Sequence, residues 1–111
     1  METIGFLECS SIAKGIEACD FLLKAAEVDL IFAHATCPGK YSILFSGEVA
    51  AVKASLDAGE AIAGPLAVDS VVIPRVHPQV TKAIGRGGAP DQVYAVGVME
   101  FYSITAAIYA A

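Results

Sequence analysis

Three cysteines and two histidines carry most of the chemistry open to this 111-residue sequence, and one of them stands apart. Cys37 falls in Thr36-Cys37-Pro38-Gly39-Lys40, a turn sequence between two apolar runs at residues 30–35 and 41–45. Pro38 fixes φ and has no N–H for a sheet ladder, and Gly39 takes positive φ without penalty, so the pair suits a turn and would spoil a strand interior. Cysteine is among the most buried residue types, so a thiol beside Pro-Gly is out of place unless it meets a ligand, a metal or a copy of itself. As a nucleophile or redox thiol it needs a base within hydrogen-bond reach, for which His34 is the one nearby candidate, and nothing resembles a resolving cysteine. As a thiolate ligand it suits iron–sulfur chemistry. Lys40 is close enough in sequence to favour the thiolate, or else it points to solvent.

The other candidates read as structural. Cys9, Cys19 and Cys37 are odd in number, widely spaced and without a C-x-x-C pair, which argues against a disulfide framework and against a self-contained zinc site. Any metal at Cys37 would draw its remaining ligands from other chains. Cys9 alternates within a strand and Cys19 lies in a helical apolar stripe, so both are expected in the core. His34 and His77 are expected to be structural or surface histidines, and Gly5 and Gly47 to serve turns or close packing.

A thiol at a loop tip is only as well placed as the elements that carry it. Residues 3–9 read as a strand, and Ser10-Ser11 supplies hydroxyls suited to capping the helix that follows. In that helix Ile12, Ile16, Cys19, Leu23 and Ala26 recur at helical spacing and are expected to face the core, while Asp20 stands four residues before Lys24 in the favourable order for an ion pair. Residues 28–35 and 41–46 predict two strands paired as a hairpin around Cys37. A second helix is expected from Gly47-Glu48 to about Ala63, with Val49, Val52, Leu56 and Ala63 inward, stopped by Gly64-Pro65. Residues 68–73 predict a fourth strand ended by Pro74, and Pro78 opens a short helix over 79–84. This βαββαβ order predicts one α/β (α+β) domain.

Composition bounds the partners. Hydrophobic residues make up 56% and charged residues 17%, with a mean hydropathy of +0.63, apolar enough to imply burial against other subunits. Twelve acidic against seven basic residues leave a net charge of −5 with no Lys/Arg cluster, so nucleic acid is not an expected partner. No run approaches the roughly 18 apolar residues of a membrane span, and no signal-peptide layout opens the sequence, so no membrane partner is expected and the expected compartment is cytoplasmic.

The sequence also repeats itself. Residues 95–111 match 3–19 at a constant offset of 92, with identity at Gly5/Gly97, Glu8/Glu100, Ser11/Ser103, Ile12/Ile104, Ile16/Ile108 and Ala18/Ala110. Residues 2–84 thus form one domain, the Gly-rich 85–92 a linker, and 93–111 the start of a second domain cut off within its first helix. Left alone, that segment is expected to dock on a neighbouring copy or to be disordered.

Three stretches carry a family resemblance: I-G-F-L-E-C-S-S-I-A-K-G-I-E-A-C-D-F-L-L-K-A-A-E-V at 4–28, G-E-V-A-A-V-K-A-S-L-D-A-G at 47–59 and V-V-I-P-R-V-H at 71–77. On these the chain resembles the shell proteins of bacterial microcompartments (BMC domain), and most of all, through Cys37-Pro38-Gly39-Lys40, the tandem-domain, trimer-forming propanediol-utilisation members that carry an iron–sulfur cluster. The resemblance implies a ferredoxin-like antiparallel sheet flanked by helices. It implies a structural, non-enzymatic role in a microcompartment shell, as homotrimeric pseudo-hexameric or hexameric tiles packed with other microcompartment shell proteins. It implies that Thr36, Cys37, Pro38, Gly39 and Lys40 face the tile's central pore, and that Cys37 is the metal ligand of a [4Fe–4S] cluster shared between subunits, for electron transfer or cluster transport. Lys24 and Arg75 match tile-edge residues. After Arg75 the family often has proline, where this chain has Val76. The other classes open to the sequence are a small ferredoxin-like ligand-binding module and an enzyme or redox module using the Cys37 thiol; the sparse polar constellation weighs against both.

Overall fold

The computed structural model describes residues 2–87 and 91–111. The chain forms β1 (Thr3–Cys9), α1 (Ile12–Ala25), β2 (Asp29–Thr36), β3 (Lys40–Gly47), α2 (Val49–Ala63), a 3-10 turn (Gly64–Leu66), β4 (Ala67–Ile73), α3 (Pro78–Arg86) and α4 (Ile104–Ala110). The strands form one sheet in the order β2-β3-β1-β4, with every neighbouring pair antiparallel. The expected βαββαβ order and ferredoxin-like sheet are what the chain adopts.

Local chemistry sets the boundaries. Ser11 caps α1, its Oγ accepting from Lys14 N–H at 3.2 Å, which satisfies one of the amides a helix start leaves free. Gly64 ends α2 at a φ of 54°, and Pro78 stands at the first position of α3. Val76 donates its amide to the Glu2 carbonyl at 2.9 Å, a bond that proline at this position could not make.

All seven residues of β1 are buried, because both faces of the sheet are covered. On one face Leu7 and Cys9 pack with Ala18, Cys19 and Leu22 of α1 and Val52, Leu56 and Ala63 of α2. On the other Ile4 and Phe6 pack with Leu44, Val76 and Ile108, flanked by Val80 and Ile84 of α3 and Ile104 of α4. Gly5 is required where α2 crosses the sheet: a Cβ there would lie 2.9 Å from Val52 Cγ1 and closer still to the Phe45 ring.

The inward face of α1 differs from the expected one. Cys19 is inside, but Ile12, Ile16 and Leu23 are exposed, Ile16 by 54%, and the buried residues are Gly15, Ala18, Cys19 and Leu22. Small residues face the sheet because the helix sits close against it, with Gly15 over Tyr41. The large apolar residues, Phe21 among them, are left on an outer face. Val49 likewise is exposed, while Val52, Leu56 and Ala63 are buried as expected.

Within the expected linker, α3 continues to Arg86, and residues 88–90 lie outside the described residues. In the repeat segment Ser103 caps α4 as Ser11 caps α1, but residues 95–101 form no strand and Val96 and Val98 are largely exposed. Their counterpart β1 is a strand because β3 and β4 flank it on both sides; a lone strand without ladder partners is not stable. Within the single chain α4 docks on its own sheet rather than standing free, burying Ile108 and Thr105.

Candidate functional site

The hairpin that carries the thiol is closed by the pairs Ala35↔Tyr41 and Thr36↔Lys40. Between them Cys37, Pro38 and Gly39 form the tip, with a cis Cys37-Pro38 bond and Gly39 at a φ of 66°, the left-handed conformation for which glycine is suited. Nothing lies within 4 Å of where a Gly39 Cβ would stand, and Cys37 is exposed. The tip is an open presentation of one thiol.

The other two thiols are withdrawn. Cys9 and Cys19 are buried, and burial pushes both above the ordinary thiol range, with the neighbouring charges of Glu8 and Asp20 adding to the effect. Burial raises the Tyr41 phenol as well. Such groups stay protonated and unreactive at neutral pH.

Lys40 takes a course that neither sequence alternative contained. Its Nζ lies 3.2 Å from Oε2 of Glu8, a fully buried carboxylate in β1, so the ammonium is turned back toward the sheet. Glu8 Oε1 accepts from Ile104 N–H at 3.2 Å. Sequence reasoning missed Glu8 as a site residue, although a lone acid in an apolar strand, repeated as Glu100, was a signal in plain view. His34 stacks face to face on Phe32, with centroids 4.4 Å apart. His77 caps α3, its Nδ1 accepting from Gln79 N–H at 3.2 Å. Both histidines have structural work.

Lys24 pairs with Asp20 at 2.8 Å across one helical turn, as expected. Arg75 follows the end of β4 at a φ of 52°, a conformation that costs a non-glycine residue of order 1 kcal/mol. The register places these two far from the thiol. Cys9 pairs with Tyr41 at the loop end of β1, whereas Thr3 pairs with Gly47 and Ile4 with Ile73 at the other. Arg75 lies beyond that second end, on an open depression of about 740 Å³ shared with Glu2, Glu27, Asp29 and Glu48. Lys24, in the last turn of α1, precedes β2 at the same end. Lys24 and Arg75 thus stand at one end of the sheet and Thr36 to Lys40 at the other.

One chain cannot build a metal centre at the tip: among the described residues no group of three or more His, Cys, Asp or Glu side chains could hold an ion. An exposed soft thiol with open space around it does fit the role of a single ligand in a site completed by other copies. Among the described residues no helix is long and apolar enough to cross a membrane.

Comparison with known proteins places the fold. Residues 3–76 match the model of the BMC domain. The bacterial microcompartment shell protein PduT of Citrobacter freundii is 43% identical over 110 residues, which is 99% of this chain and 60% of that protein. PduA of the same organism is 38% identical over 88 residues, 78% of this chain and 95% of the relative. A crystal structure of a microcompartments protein from Desulfitobacterium hafniense superposes with a TM-score of 0.77 at 48% identity, over 84% of this chain and 52% of that one. The chain therefore spans somewhat over half the length of its longer relatives and nearly all of the shorter.

Proposed function

The chain belongs to the BMC domain family, and on that footing we propose that it is a structural subunit of a bacterial microcompartment shell, located in the cytoplasm within that shell and without enzymatic activity. Three tandem chains, or six copies of a single domain, assemble into a flat tile and associate with other shell proteins. Residues 93–111 are the opening of a second copy of the domain, joined through the linker at 85–92. The observation that carries this reading is the separation of the two candidate regions along the sheet, with Cys37 at one end and Lys24 and Arg75 at the other. That is the layout of a wedge whose tip faces an axis and whose base faces a neighbour. The outer face of α1, with Ile12, Ile16, Phe21 and Leu23, supplies apolar surface for the contact between wedges.

The tip, Thr36 to Lys40, lines a central pore, and Cys37 is the protein ligand of a [4Fe–4S] cluster held jointly by symmetry-related copies. Such a cluster supplies one-electron chemistry. The chain's contribution is a thiol presented from a short turn in which Pro38 fixes one φ, so less ordering entropy is lost when copies converge, while Gly39 supplies the positive φ that the turn requires.

The test is solution mass together with iron content and visible absorption of anaerobically prepared protein. Trimers or hexamers that extend into sheets are expected, and a strict monomer overturns the shell reading. Cys37→Ser should remove iron and colour while Cys9→Ser and Cys19→Ser keep them; a colourless wild-type protein after anaerobic reconstitution overturns the cluster.

A further inference from the structure

Glu8 is a carboxylate with no solvent exposure in a central strand, and such a group is costly to bury unless it is paired and hydrogen-bonded. Both oxygens are engaged, Oε2 with Lys40 Nζ and Oε1 with Ile104 N–H, each at 3.2 Å. Its cross-strand neighbours are Ser42 on β3 and Asp69 on β4, and His34 lies beyond Ser42 on β2. Glu8 is therefore the buried acid of a polar row that crosses all four strands just inside the cysteine loop, with Ser42 buried beside it. Lys40 is the first residue after the loop tip, only three positions from Cys37. An untethered ammonium there would put a positive charge at the mouth of the turn.

We propose that Glu8 is the positioning residue of the Cys37 loop: its carboxylate draws the Lys40 ammonium back against the sheet, anchoring the exit of the turn and keeping a cation away from the sulfur. The inference deepens the reading of Cys37 as the loop's working residue and rests on it. The tip then presents a bare thiol in locally neutral surroundings, selected against anions that a free lysine would gather.

The test uses iron-free 111-residue protein and compares Cys37 alkylation by neutral iodoacetamide and by anionic iodoacetate at one pH. In both reactions the thiolate sulfur forms a bond to carbon and iodide leaves, so the ratio of the two rates cancels the thiolate fraction and reports charge near the sulfur. Cys37→Ser identifies the labelled site. Glu8→Gln should raise the iodoacetate-to-iodoacetamide ratio about threefold, the effect of one unit charge roughly 6 Å away in a water-like medium. Lys40→Met in that background should return it to the wild-type value, and Lys40→Met alone, which leaves the Glu8 carboxylate unpaired, should not raise it. An unchanged ratio in folded Glu8→Gln overturns the proposal. So does a ratio that stays as high in the double variant as in Glu8→Gln, because the lysine would then not be the charge that reached the sulfur. If Glu8→Gln does not fold, as judged by circular dichroism, Glu8→Asp, which keeps the charge on a shorter stem that cannot hold the ammonium in the same place, takes its part: it should raise the ratio, and an unchanged ratio overturns the proposal. The labelling needs no iron, so its failure leaves the cluster reading standing, and the loss of the cluster reading leaves the labelling result intact.

Discussion

Gly15 of α1 lies so close over Tyr41 of β3 that a Cβ on it would fall 2.5 Å from Tyr41 Cβ. Alanine in the middle of a helix normally gains about 1 kcal/mol over glycine, but here the added methyl must push the helix off the sheet. Gly15→Ala should therefore lower stability by about 1–3 kcal/mol. Thermal melting followed by circular dichroism checks it. A raised melting temperature would mean that α1 does not bear on Tyr41.

Stability should fall in alkaline solution. Cys9 and Cys19 sit above the ordinary thiol value of 9.0 in the folded chain, and unfolding returns them to it. Above that pH the unfolded chain releases protons that the folded chain retains. The stability present below pH 9 is thus lost as pH rises toward the folded-state values, by up to about 1.4 kcal/mol per pH unit for each thiol. Tyr41 extends the loss above its ordinary 10.0. Urea midpoints measured from pH 8 to pH 10.5 should decline, and the decline should be shallower in Cys19→Ala whatever that variant's starting stability.

Lys24 is well exposed and its pair with Asp20 contributes little to the fold. Lys24→Asp should leave thermal stability within about 1 kcal/mol of wild type and preserve closed rings while removing sheets. A short acid lacks the methylene stem that a lysine lays along a neighbouring tile. Negative-stain microscopy alongside size-exclusion chromatography reads both levels of assembly. Sheets as extensive as those of wild type would take Lys24 away from the tile edge.

The docked α4 predicts a contrast between adjacent residues. Ile108 is buried against Ile4, Phe6, Leu44 and Val76, whereas Tyr109 is 70% exposed. Ile108→Ala should cost about 2 kcal/mol, and Tyr109→Ala close to nothing, as measured by denaturant unfolding of the 111-residue chain. Equal effects would place α4 elsewhere than on its own sheet.

Much of this is legible in the sequence. The strand and helix order, the Ser11 cap, the Gly64-Pro65 stop, the Pro78 start and the exposed Cys37 all follow from local rules, because turn chemistry and capping are properties of a few adjacent residues. The inward face of α1 was not legible. Ile12, Ile16 and Leu23 satisfy helical periodicity as well as Gly15, Ala18 and Leu22 do, and periodicity weighs bulk, whereas a helix pressed onto a sheet selects small residues and turns the bulky ones outward. The partner of Lys40 was hidden for a different reason. Glu8 is 32 residues away, and only the register of β1 against β3 brings the two together.

The open space around Gly39 and the exposure of Cys37 have a practical corollary. Cys37, Pro38 and Gly39 behave as a cassette, free of core contacts and bounded by Thr36 and the anchored Lys40. Exchanging Cys37 and Pro38 while glycine is kept at position 39, where the φ of 66° requires it, should change what the hairpin tip can hold while leaving the melting curve nearly where it was. A screen by thermal shift is therefore blind to this stretch, and variants that look silent in it are the ones to examine for altered chemistry.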